Sequence, residues 1–322
     1  MIRRRLLATL VAGAAIVALG GCSTTADAGT SSKIVVGFSQ VGAENGWRTA
    51  NTNDIQSAFR SAGIPLKFSD AEQQQDNQIA AIRSYIQQKV SVIAFSPVVE
   101  TGWNTVLEEA KAAHIPVVLT DRSISPSNSS LYRTLIGSNF LLEGQRAGNW
   151  VVNEFPATAR VHYLEILGTT GAAPTINRQA GFAQEVKGHS NFTEVASQVG
   201  DFTRAGGEQV MEAELKAHPD INLVYAQNDD MALGAIQAIE AAGEVPGKDI
   251  KIVSVDATHD GMEALAAGKI NFIVECSPLL GNELVKVVKA IVAGKPVPRW
   301  IVTKERTFTH AQAIIALPTR KY

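Results

Sequence analysis

The side chains able to do polar chemistry in this chain fall just after short apolar runs. Lys33–Gln40 leads into Val41-Gly42-Ala43-Glu44-Asn45-Gly46-Trp47-Arg48, and Val90–Ser96 into Pro97–Trp103. Pro116–Asp121 ends in the pair Asp121-Arg122, and Leu131–Ser138 is followed by Asn139. Arg160–Leu167 opens onto Gly168-Thr169-Thr170-Gly171, with Asn177 and Arg178 shortly after. Leu223–Gln227 gives way to Asn228-Asp229-Asp230, Ile250–Asp256 closes on Asp256, and Ile270–Val274 runs into Glu275. No nucleophile stands beside a base in this set. Carboxylates, amides and guanidinium groups are planar and offer paired acceptors or donors, which suits adjacent hydroxyls. An indole such as Trp47 can lie against the apolar C–H face of a ring. Arg48, Arg122 and Arg178 against Glu44, Asp121, Asp256 and Glu275 leave the set near neutral or slightly acidic. A phosphorylated or acidic ligand would want surplus positive charge, so the mixture points to an uncharged sugar.

The runs that must position these groups alternate with helical patterns. Trp47–Ala62 reads as a helix closed by Gly63, and Leu66–Ser69 as a strand. Asp76–Gln88 carries Ile79, Ile82, Tyr85 and Ile86 on one stripe, and Trp103–Ala113 is a further helix. The alternation then repeats: a further strand at Phe192–Gly200, and helices near Leu142–Asn153, Pro174–Lys187, Ala205–Ala217 and Asp230–Ala242. Strand–helix alternation predicts parallel sheets covered by helices on both faces, and two rounds predict two such sheets. In open α/β sheets ligands sit beyond the carboxyl ends of the strands, which is where the polar groups fall. Several of them have plainer roles. Asp229 or Asp230 reads as a helix N-cap, Asp121 and Arg122 as a structural ion pair, and Trp103 as a packing residue. Cys276 reads as a small buried residue, Asn139 as a site amide or a turn, and Glu165 sits in an apolar strand with no evident task.

The N-terminus addresses the compartment. Arg3, Arg4 and Arg5 precede a small, apolar run from Leu6 to Gly21, the pattern of a secretory signal and short for a membrane span. Leu19-Gly20-Gly21-Cys22 resembles the lipobox of bacterial lipoproteins, which implies a signal peptide over 1–21 and lipidation of Cys22. Residues 22–32 then form a small, polar tether. Removing three of the 29 basic residues with the signal leaves 26 against 31 acidic ones, a net charge of −5 with no basic footprint for nucleic acid. Hydrophobic content of 45% and charged content of 19% are ordinary for a globular chain. With Cys22 lipidated, Cys276 has no partner for an intramolecular disulfide. No cysteine–histidine spacing suits zinc and no calcium loop appears, so no metal or cofactor is expected.

The segments GFSQVGAENGWRTA, VIAFSPVVETGW, TDRSI, GDFTRAGGEQVM and VYAQNDDMALGAIQAIEAAG resemble the ribose/galactose class of periplasmic sugar-binding proteins, cluster B, with the type I binding fold. Within that class they look like the galactofuranose binders of Gram-negative bacteria. Ala43 and Asn45 stand where those binders have serines, Gln227 where they have histidine, and the match weakens after Pro296. The resemblance implies two doubly wound lobes joined by a three-strand hinge, one of 33–137 plus 277–304 and the other of 138–276 plus 305–322. It implies ligand contacts from Glu44, Trp47, Arg48, Asp121 and Arg122, and from Arg178, Asn228, Asp256 and Glu275, with Asn139 as an addition. It also implies an extracytoplasmic monomer that hands its sugar to an ABC permease and its ATPase, and touches the membrane through its lipid anchor alone. An alternative partner for the same binder is a chemoreceptor or sensor kinase.

Two other classes are disfavoured. A repressor built on the same two-lobed sensor needs an N-terminal helix-turn-helix, and this chain has a secretion signal there. A glycosidase needs a carboxyl kept protonated as a general acid, and arginines among these carboxylates would hold them ionised.

Overall fold

The computed structural model describes residues 33–125 and 130–322; the expected signal peptide, Cys22 and tether lie outside the described residues. Strands β1 (Val36–Gln40), β2 (Leu66–Asp70), β3 (Val92–Phe95), β4 (Val117–Thr120) and β5 (Thr134–Gly137) pair in parallel in the order β2-β1-β3-β4-β5. Helices α1 (Gly46–Ser61), α2 (Gln75–Gln87) and α3 (Asn104–Ala112) connect them, followed by α4 (Phe140–Glu154). A second parallel sheet follows in the same order: β6 (Val161–Leu167), β7 (Phe192–Val199), β8 (Leu223–Ala226), β9 (Lys251–Asp256) and β10 (Phe272–Glu275), arranged β7-β6-β8-β9-β10. Its helices are α5 (Ala173–Val186), α6 (Arg204–Ala217), α7 (Asp229–Ala241) and α8 (His259–Ala266). Helix α9 (Gly281–Val292) then leads to β11 (Trp300–Val302), which extends the first sheet beside β5. β12 (Thr307–Thr309) extends the second sheet beside β10, antiparallel, before α10 (His310–Ala316).

Every residue of β3, β4 and β8 is buried, as expected of strands covered on both faces. Each sheet separates two apolar clusters. In the first, Ile55 and Phe59 of α1 pack with Leu284 and Val288 of α9, while Trp103 and Leu107 fill the other face. Full burial of a side chain such as Phe59 or Leu284 contributes about 1.5–3 kcal/mol, so these clusters hold the strand ends rigidly. Trp103 is wholly buried and its Nε1 donates to Val99 O at 2.7 Å, so it packs. The chain passes between the sheets three times: after β5, after β10, and between β11 and β12. These crossings meet at one point. Ser138 Oγ lies 3.3 Å from Cys276 Sγ and 3.1 Å from Thr303 Oγ1, and donates to Glu305 Oε1. Among the described residues no helix is long and apolar enough to cross a membrane.

Candidate functional site

The carboxyl ends of both sheets face one cavity, lined from the first by Trp47, Arg48, Asp121 and Arg122 and from the second by Arg178, Phe202, Asn228 and Asp256. On the first side, Asn45 Oδ1 accepts Arg48 N at 2.8 Å and starts α1, so its first turn presents Trp47 and Arg48 beyond the strands. Arg48 is buried and held at every nitrogen. Its Nε donates to Glu44 Oε1 (3.3 Å), Nη2 to Asp121 Oδ2 (2.7 Å), and Nη1 to Gln40 Oε1 and Ser96 Oγ (both 3.3 Å). Burial alone would lower its pKa, but Asp121 and Glu44 outweigh that and raise it. Glu44 mirrors this: burial opposes ionisation, yet Arg48 and Arg122 hold its carboxyl below the usual carboxylate range.

Arg122 is different. Its contacts are long: 3.3 Å to Val98 O, 3.4 Å to Glu44 Oε1 and 3.8 Å to Asp121 Oδ2. Burial, then Arg48 beside it, push its pKa down to about 10. Its Nε has no partner, and neither has Glu44 Oε2. A buried donor and a buried acceptor are thus left without hydrogen bonds, a costly arrangement.

The second side repeats the first. Arg178 Nε donates to Glu143 Oε2 (2.8 Å) and Nη1 to Gln227 O (2.6 Å), while Nη2 lies 3.5 Å from Asp256 Oδ1. Burial alone would lower the Arg178 pKa, and Glu143 chiefly reverses that. In each sheet the arginine rides the helix after the equivalent strand, β1 or β6, and the aspartate ends the equivalent strand, β4 or β9. Both aspartates have left-handed backbone, φ +59° at Asp121 and +120° at Asp256, conformations that cost about 1–3 kcal/mol in a residue with a side chain. Such strain in both halves, at the two carboxylates facing the arginines, marks these turns as built for the site.

Phe202 supplies an apolar wall. Asp201 and Phe202 are consecutive left-handed residues (φ +54° and +61°), which swings the ring back over Gly168. A Cβ at Gly168 would fall 1.9 Å from the ring, so only glycine fits there. The guanidinium groups of Arg122 and Arg178 lie 5.4 and 6.0 Å from the Phe202 ring centre, one from each side. The lobes also touch directly. Asn45 Nδ2 donates to Phe202 O (3.1 Å), Gly46 N to Asp230 Oδ2 (3.2 Å) and Glu100 N to Gly171 O (3.0 Å). Trp47 Nε1 donates to Cys276 O at 2.7 Å, which commits its N–H, and the Arg48 guanidinium lies 4.7 Å from its ring centre.

Of the residues singled out in the sequence, Trp47, Arg48, Asp121, Arg122, Arg178, Asn228 and Asp256 line the cavity together. Glu44 stands behind Arg48 and Arg122. Two are placed elsewhere. Asn139 caps α4, its Oδ1 accepting Leu142 N at 3.1 Å. Glu275 turns to the C-terminal segment, with Arg320 Nη1 at 2.7 Å and Arg306 Nε at 3.7 Å. The N-cap of α7 is Asn228, not Asp229 or Asp230: its Oδ1 accepts Met231 N at 2.9 Å. Asp229 instead accepts Thr258 N at 2.7 Å, and burial pushes its carboxyl up to about 6. Asp121 belongs to Arg48 more than to Arg122. Glu165 is buried, accepts Gln227 Nε2 at 3.0 Å, and is pushed by burial to about 7. Sequence reasoning missed Asn45, Phe140, Glu143 and Phe202. The strand-end rule, applied to β7, would have drawn attention to Gly200-Asp201-Phe202.

Residues 36–296 match the model of the family described as periplasmic binding protein domain. The chain is 47% identical over 248 residues to the galactofuranose-binding protein YtfQ of Escherichia coli (strain K12), covering 76% of this chain and 78% of that one. A Mycobacterium smegmatis protein solved in complex with β-D-fucofuranose superposes with a TM-score of 0.87 at 58% identity, covering 88% of this chain and 94% of the other. The periplasmic binding component of the arabinose ABC transporter of Shewanella sp. ANA-3, bound to α- and β-L-arabinofuranose, gives 0.86 at 45% identity over 89% and 95% of the two chains.

Proposed function

Because the chain belongs to the periplasmic binding protein family, with its two-lobed type I fold, we propose that it is the extracytoplasmic sugar receptor of an ABC importer. It binds one neutral monosaccharide in furanose form, galactofuranose or a related aldose, and does no chemistry on it. The observation that carries this reading is the balanced cage. Arg48, Arg122 and Arg178 are set against Glu44, Asp121, Glu143 and Asp256 at one cavity, which the three arginines and both aspartates line. The relatives that bind furanoses support the ring form.

Residues 33–137 with 277–304 form one closing lobe, and 138–276 with 305–322 the other; the division of strands between the sheets supports this. The protein acts as a monomer. Cys22 carries lipid, which anchors it outside the cytoplasm beside the permease and ATPase that receive the sugar.

Calorimetry tests the binding role. Solutions of L-arabinose, D-galactose and D-fucose, each holding a furanose fraction, should bind, at micromolar affinity for the preferred sugar, about −8.2 kcal/mol. Binding of disaccharides or amino acids alone, or any turnover of a sugar, would overturn the reading. Fatty-acid labelling that survives Cys22→Ser would remove the anchor.

A further inference from the structure

Resting on that reading, we infer that Glu143, which lines no part of the cavity, is the positioning residue that aims Arg178 at the ligand. Glu143 is fully buried in the first turn of α4. A carboxylate taken wholly out of water is expensive unless a partner compensates it, and its partner is Arg178 Nε at 2.8 Å. The helix pair is built to bring them together. A Cβ at Gly144 of α4 would fall 2.1 Å from Arg178 O, and one at Gly181 of α5 would fall 2.1 Å from Leu141 O. The backbones of α4 and α5 are therefore in contact on either side of the Glu143–Arg178 bond, at a spacing that larger residues forbid.

This contact fixes the plane of the guanidinium. With Nε on Glu143 and Nη1 on Gln227 O, two of three nitrogens are spent on the protein. Nη2, 3.5 Å from Asp256 Oδ1, is the loosely held one, and both Arg178 and Asp256 line the cavity. The other half-site shares the anchoring of Nε, though its arginine is held at every nitrogen. There Glu44 holds Nε of Arg48 while Asp121 takes Nη2. Glu143 thus does for Arg178 what Glu44 does for Arg48, although it arrives from a different place in the chain. A planar fork held at Nε cannot turn about its stem, so the direction of its free edge, and the hydroxyl it accepts, are set by the carboxylate.

Glu143 has a second neighbourhood, the hinge: ligand atoms of Glu143, Cys276 and Glu305 lie within 4.8 Å of one another. The test must therefore separate aim from hinge. D-galactose, its 2-deoxy analogue and D-fucose (its 6-deoxy analogue) are titrated by calorimetry into the full mature chain and the variants E143Q, R178Q and E143Q/R178Q. Losing the charge on this bond should weaken D-galactose binding at least about tenfold in E143Q. The double variant should lose no more than R178Q alone, and the deoxy analogue rejected by the wild type should lose its penalty equally in E143Q and R178Q. Unchanged affinity in E143Q, losses that add in the double variant, or an intact deoxy penalty would overturn the assignment. Should E143Q not fold, Glu143→Asp replaces it in the same cycle, since it keeps the charge and draws the carboxyl back from Nε by one methylene. A wild type that binds none of these sugars would instead sink the proposed function, before Glu143 is in question.

Discussion

Arg122→Met should make the sugar-free protein more stable while destroying its binding. Arg122 is 2% exposed, and its guanidinium is pushed from an ordinary 12.5 to about 10 by burial and by Arg48. The sign follows directly. A cation whose pKa falls on folding is held charged at neutral pH at a cost, and each pH unit of that fall is about 1.4 kcal/mol, so the fold bears about 3 kcal/mol. Methionine has similar reach and no charge. It forfeits the long bonds to Val98 O and Glu44 Oε1, at 3.3 and 3.4 Å, which returns some of the gain. A net increase of about 1–2 kcal/mol remains, or roughly 2–6 °C in melting temperature. Binding moves the other way. Loss of two charge-assisted bonds to hydroxyls, each about 1.5–3 kcal/mol, weakens affinity by roughly 10²–10⁴. Scanning calorimetry without sugar and titration calorimetry with D-galactose read the two effects separately. A lower melting temperature in the variant would refute the electrostatic reasoning, and retained affinity would take Arg122 out of the site.

Asn45→Asp keeps the acceptor that caps α1 but loses the donor to Phe202 O across the cleft; binding should weaken about three- to tenfold with the sugar-free melt little changed, and an equal fall in both would refute a closure role. Gly168→Ala should displace the Phe202 ring, since the added carbon falls 1.9 Å from it, and a titration with unaltered affinity would show that the ring is not part of the site. Glu305 is buried at the hinge with its carboxyl pushed up to about 8 by burial and by Glu143. Such an acid keeps its proton in the folded state while the unfolded chain releases it. Its stabilising share is present below about pH 4.5 and is lost as pH rises to about 8. Denaturant melts across that window should flatten in Glu305→Gln, with the variant the more stable at pH 8, and parallel curves would refute this.

The alternation of short apolar runs with helical stripes was enough to place both sheets, because Val92–Phe95 or Leu223–Ala226, buried on both faces, leave few other readings. Chain ends were less legible. β11 and β12 are three residues each and partly exposed, and β12 runs antiparallel, so no run or period announces them. In the site, residues at strand ends could be found by rule, and Arg48, Asp121, Arg122, Arg178, Asn228 and Asp256 were. Glu143 could not. It lies in a helix between two lobes' worth of strands, and only the glycine contact of α4 with α5 brings it to Arg178. Asn139 and Glu275 show the converse: a polar residue at a strand end is a candidate by position, but a helix N-terminus or a buried arginine such as Arg320 can claim it first.

The arrangement of charge explains why closure should wait for a ligand. Each half-site has its own carboxylate on the arginine Nε, Glu44 on Arg48 and Glu143 on Arg178, while burial pushes the Asp256 carboxyl well above the usual range. Arg122 is the group left weakly partnered, and closure brings it toward Arg178, whose charge further opposes its own. Both guanidinium groups then face the one Phe202 ring, at 5.4 and 6.0 Å. A π face attracts each cation by about 0.5–2 kcal/mol, which does not replace the water that two cations give up on burial. Hydroxyl oxygens of a neutral sugar can, since each accepts from a guanidinium edge while its own proton turns to a carboxylate that lines the cavity, such as Asp121. An anionic ligand would satisfy Arg122 but bring surplus charge to the buried carboxylates around it, and an apolar one would leave Arg122 with only its long contacts. On the proposed function, a neutral polyhydroxylated ring is the chemistry that pairs these groups.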